Sequence, residues 1–172
     1  MSDLVRYGVQ MAPPSASTTL LRGILNAWTY NPARPENGAR DRSQAVRNAC
    51  DEALAAYSDH LRSELSRLRR ALPEPTRDNP YPPMDGLQAV RELERYLQQV
   101  DALRVRIQGA AIPPNDIIGH GRADNRLLFI ELESADRDLL QALLELHEHS
   151  ISVVEGILAR REDILRQFDS HL

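Results

Sequence analysis

No proline interrupts the chain from Leu127 to Leu172, and its one glycine is Gly156. At about 100° per residue, two apolar stripes run side by side along this stretch. Leu139, Leu143, Leu146, Val153, Ile157, Ile164 and Phe168 form one; Leu140, Leu144, Ile151, Val154, Leu158 and Leu165 form the other. Together they cover roughly half of a helix circumference, more than the ~100° stripe of a helix packed on one neighbour. The periodicity predicts one long helix over Leu127–Leu172, with Ser134 as the place for any kink. The remaining helices are expected to pack on it.

All eleven prolines fall in four places: Pro13 and Pro14, Pro32 and Pro35, Pro73 to Pro83, and Pro113 and Pro114. Proline inside a helix costs ~3 kcal/mol, so the stretches between these clusters are the other helices. A short one is predicted over Thr18–Tyr30, with Leu21, Ile24, Leu25 and Trp28 on its apolar face. A long one follows over Asp41–Leu72, its apolar line running Val46, Cys50, Tyr57, Leu61, Leu65, Leu68, Leu72. A third covers Met84–Gln108, with Asp85 and Gln88 at capping-box spacing and Gly109 placed as its C-terminal stop. Residues Leu4 to Met11 alternate in strand fashion but have no second strand to pair with. Residues 1–16 are therefore expected to be a flexible N-terminal arm, or an arm that adds to another subunit through its backbone. The fold expected is all-α: an antiparallel helical bundle of three long helices plus a shorter N-terminal one, in a single domain spanning 1–172.

Composition narrows the function. The hydrophobic class is 42%, charged residues 27% and aromatics 5%, an ordinary globular balance that suits a Leu/Ala helical core. A net charge of −4 gives no global attraction to nucleic acid or anionic membrane. The chain has no lysine, which excludes Schiff-base chemistry and a phosphate-loop lysine. The single cysteine, Cys50, lies on a buried line, cannot form an internal disulfide and fits a reducing compartment. No apolar run approaches the ~18 residues of a membrane span, and the first residues lack the long apolar core of a signal peptide. A cytoplasmic protein is expected.

Residues of catalytic type are few and scattered. His147 falls inside the apolar arc of the last helix, where a buried histidine with one hydrogen-bond partner is the simplest expectation. The string HEHSI lacks the second histidine of a zinc-protease motif, since Ile151 stands there. No histidine has a glutamate three residues before it, so the Glu-x-x-His element of di-iron bundles is missing. The segment Ala110–Asn125 carries Asp116, His120, Arg122 and Asp124, with Gly119 and Gly121 flanking the histidine; a small-molecule site would be sought there first. Arg166 and His171 have an Arg-x4-His spacing that resembles the motif of HEPN-type ribonucleases, although Gln167 replaces the polar residue usual after the arginine. That resemblance would imply a helical bundle that dimerises to cleave RNA.

No complete catalytic set, metal site or cofactor motif is present in the sequence. The expected function is therefore a non-enzymatic interaction or assembly module that self-associates as a homodimer or binds a larger protein. A small-molecule- or metal-binding bundle using His147 or the loop around His120 is the alternative, and an HEPN-like ribonuclease ranks third. Length suggests the interface. At ~1.5 Å per residue the last helix would be roughly 69 Å long, beyond the reach of its neighbours. Ile157, Arg161, Ile164, Leu165 and Phe168 would then be left uncovered for a second copy.

Overall fold

A computed structural model describes residues 3–30, 38–74, 76–77, 81, 83–113, 123–146 and 151–170. Within them every regular element is a helix: α1 (Asp3–Arg6), α2 (Ser15–Tyr30), α3 (Ala39–Ala71), α4 (Met84–Gly109), α5 (Ala123–Leu144) and α6 (Ile151–Ser170). The all-α expectation holds, and the proline clusters do bound α2, α3 and α4. No described helix is long and apolar enough to cross a membrane.

The C-terminal stretch is not one rod. It breaks after Leu144, and α5 and α6 pack against each other as a helical hairpin. Ser134 lies inside α5 with no interruption. At the break the Leu146 amide donates to the Leu143 carbonyl at 3.3 Å, tightening the last turn of α5 while its side chain stays buried. Folding back lets two apolar stripes cover one another, which a straight helix of that width could not do with short neighbours.

The central element is α3. Its 33 residues make a rod roughly 50 Å long that packs on α2, α4 and α5. Cys50, Leu54, Tyr57, Leu61 and Leu68 line its buried side and meet Leu93, Val100, Leu140 and Val154 in the main core. Ala49 and Ala53 are small enough to bring α2 close, and the buried Ser17 hydroxyl donates to the Ala53 carbonyl at 3.1 Å. A second, separate cluster forms farther along the hairpin from Leu128, Phe129, Leu132, Ala135, Ile164 and Leu165. Its described members all belong to α5 and α6.

The N-terminal arm is not loose. The Gly8 amide donates to the Val5 carbonyl and the Val9 amide to the Leu4 carbonyl, both at 3.0 Å, with Gly8 at φ 62°. This is the paired closure of a helix C-terminus around a left-handed glycine. Leu4 and Val9, the apolar pair that accompanies it, are both buried, whereas Val5 is 60% exposed. Strand alternation would have grouped Val5 with Val9; the glycine stop separates them. Two further differences are small. Pro83 rather than Asp85 caps α4, and the Asp85 carboxylate instead pairs with Arg6 at 2.7 Å. Gly109 is the last residue of α4, and Ala110 follows it in an extended conformation.

Candidate interaction surfaces

Of the expected interface residues, Ile157, Arg161, Ile164 and Leu165 pack within the chain itself. Ile164 and Leu165 belong to the second core cluster, and Ile157 is half-buried against the main core. Arg161 is 2% exposed. Because the break after Leu144 halves the helix, the length argument for an uncovered patch falls with it. The side chains of Phe168 and Trp28 lie outside the described residues, as do Asp116, His120, Arg122, His147 and His171. Arg166 is exposed and donates to Asp163 on its own helix at 2.5 Å.

Arg161 instead ties three helices and a linker together. Its Nε donates to Asp136 of α5 at 2.7 Å, its Nη2 to the Ser43 hydroxyl of α3 at 2.6 Å, and its Nη1 to the Ala111 carbonyl at 2.7 Å. Arg47 of α3 donates to the neighbouring Ala110 carbonyl at 3.1 Å. Two guanidinium groups thus satisfy carbonyls just past the end of α4, which would otherwise lack partners. Burial raises the Asp136 carboxyl above the ordinary range; Arg161 and Ser43 oppose that shift. Asp136 was legible in principle: it is the one charged residue in the stripe Leu132, Ala135, Asp136, Leu139, as Arg161 is in the stripe of α6.

Beside this network an open groove of about 510 Å³ is lined by Arg106, Gly109 to Ala111, Glu162, Leu165 and Arg166. Arg106 is held by Glu162 through two hydrogen bonds of 3.0 and 3.1 Å, which keeps the Glu162 carboxyl below the ordinary range. With Arg166 on Asp163, both cations of the groove are matched by carboxylates, so it has no net pull on an anion. Among the described residues no three His, Cys, Asp or Glu side chains converge as a metal site would require, and no buried side-chain nitrogen or oxygen lacks a partner.

Two surfaces stand out from this background. On the outer side of α5, Leu127 is 64% and Ile130 47% exposed, and Ser134, Arg137 and Gln141 continue the same line in the exposed class. The spacing of 3, 4, 3 and 4 is that of a coiled-coil seam, with Leu127 and Ile130 as its apolar members. This line runs over the second core cluster, whose described members come from α5 and α6. The other surface is the side of α3 that holds the N-terminal strap, residues 8–11. Arg67 donates to the Gly8 carbonyl at 2.8 Å, the Gln10 amide donates to Glu64 at 3.2 Å, and His60 Nε2 lies 2.9 Å from the Gln10 carbonyl, which makes it the donor. The Tyr57 hydroxyl donates to the Met11 carbonyl at 2.5 Å. A phenol has one proton, so the Tyr96 hydroxyl, 3.2 Å away, donates to Tyr57. Burial pushes the Tyr57 hydroxyl up to about 12. Tyr57, His60, Glu64 and Arg67 recur at helical spacing, a pattern visible in the sequence but without meaning until its backbone partner is known. Neither a known family model, nor a curated protein, nor a solved structure matches this chain.

Proposed function

We propose that this protein is a non-enzymatic helical assembly module that pairs with a second copy of itself through the outer line of α5. The observation that carries the reading is the exposure of Leu127 and Ile130, at helical spacing, over a core cluster whose described members come from two helices. Leu127 and Ile130 stand one turn apart, so their exposed side chains adjoin as a small apolar patch that a second helix can cover. Two α5 helices crossing antiparallel near Ser134 would bring Glu131 of one copy beside Arg137 of the second, twice by symmetry. The stem of Arg137 would then cover Ile130, and the small Ser134 would permit close approach. The buried charged groups support this reading indirectly, since those described are occupied in holding helices together rather than turned toward a cavity.

Sedimentation equilibrium tests it. Wild type should show a monomer–dimer equilibrium that Ile130→Asp shifts to monomer with little change in thermal stability. Arg137→Glu should weaken the dimer and adding Glu131→Arg should restore it. A concentration-independent monomer mass for wild type, or a charge reversal without effect, would overturn the pairing.

A further inference from the structure

The strap on α3 is held mainly through its backbone. Four side chains of one helix face, Tyr57, His60, Glu64 and Arg67, contact backbone atoms of Gly8, Gln10 and Met11. The polar part of this contact reads the backbone of Gly8, Gln10 and Met11 and not their side chains. The apolar part is Leu4 and Val9, both buried in the main core, with Tyr7 packed against it. Tyr7 also reaches Gly86 at the start of α4, where an added Cβ would lie 3.1 Å from its hydroxyl. The result is a groove between α3 and α4 with a short linear segment seated in it, which is how folded domains take peptide ligands.

The segment is joined to α2 only through Ala12, Pro13 and Pro14. A seated segment, a receptor face that recognises backbone, and a short proline hinge are the components of segment exchange.

We infer that the Tyr57–Arg67 face of α3 is a peptide-binding site whose ligand is the Leu4–Met11 segment, taken from the same chain in the monomer and from a second copy when the segments exchange. The site is distinct from the α5 line, and the inference stands whether or not that line dimerises. The tether holds the chain's own segment at an effective concentration in the mM range, so wild-type copies exchange only when crowded. Weakening the segment without touching the face shifts the balance toward a segment supplied from outside.

Gly8 provides that lever. At φ 62° a β-branched side chain is strained by more than the ~1–2 kcal/mol of an ordinary residue, a loss of roughly tenfold or greater in seating. The test uses full-length chains carrying Ile130→Asp, which removes the α5 contact. One chain bears Gly8→Val, with a poor segment and an intact face. The other bears His60→Ala and Arg67→Ala, with an intact segment and a poor face. Each alone should sediment as a monomer, and a mixture should form a one-to-one complex at about 100 µM, below the tether's effective concentration. A fluorescent peptide of residues 1–14 should bind the Gly8→Val chain about tenfold or more tighter than the chain with native Gly8, and should fail on the His60→Ala, Arg67→Ala chain. Val9→Ala, which only trims the segment's buried side chain, serves in place of Gly8→Val if the latter does not fold. No complex in the mixture, equal peptide affinity for the weakened and native segments, or equal binding of a scrambled peptide would overturn the inference.

Discussion

Arg161 and Asp136 occupy positions where two leucines would satisfy the apolar pattern of their helices, and the pair is 3% exposed on either side. Desolvating both charges costs several kcal/mol per ion before their attraction is counted. The network is therefore better understood as fixing how α3, α5, α6 and the residues after α4 register than as net stabilisation. The expected outcome is asymmetric. Asp136→Ala strands a buried guanidinium and should cost about 3–5 kcal/mol in urea unfolding, whereas Asp136→Leu with Arg161→Met should cost far less. Equal losses for both variants would refute this reading. Cys50 lies a short way into the same core. Burial, with the Asp136 carboxylate adding to it, drives the thiol far above its ordinary range. Thiol reagents should leave it untouched in the native protein and modify it only on unfolding, since the thiolate is the reacting form.

At the level of elements, the strap and the hairpin separate what periodicity can and cannot reveal. The bounds of α3 and α4 agree with the sequence expectation to within two residues because proline ends them from outside. The break between α5 and α6 was hidden because apolar residues keep their helical phase across it; what decides it is the shortage of partners for a doubly apolar rod, a tertiary matter. The strap was misjudged for the opposite reason. Two local signals competed there, alternation over Val5 to Met11 and a glycine placed to stop a helical turn, and the glycine prevailed because it lets Leu4 and Val9 enter the core together. Of the candidate interface, Arg161 was correctly singled out as anomalous, but its partner is in the same chain. The Glu64 carboxyl lies below its ordinary 4.5, first because Arg67 donates to it and further because the Gln10 amide does. A carboxyl lowered in the folded state stabilises it above 4.5, and that contribution is lost as pH falls through the folded value. The Gln10 amide resonance should accordingly titrate with a midpoint below 4.5, and Glu64→Gln should abolish the transition. A midpoint at or above the ordinary value would show that the amide does not engage this carboxylate.

Across the whole molecule, stability should be uneven. Among the described residues the main core gathers side chains from all six helices, while the cluster around Phe129 and Ile164 draws on α5 and α6. Native-state hydrogen exchange should show amides of Leu128 to Ala135 opening at lower free energy than those of Cys50 to Leu61, because opening the hairpin's far end exposes less apolar surface. Uniform protection across both would contradict that ordering. The length of α3 has one more consequence. Its first half faces Arg161 through Ser43, and its second half holds the strap through Tyr57 to Arg67. These two faces keep a fixed angular relation only because the intervening turns are counted. One residue inserted near Ala53 would rotate one face by about 100° relative to the other. Seven inserted residues would nearly restore the angle but carry the strap site about 10 Å farther along the axis. The helix therefore behaves as a graduated shaft, and its tolerance to insertion should follow the helical period rather than the number of residues added.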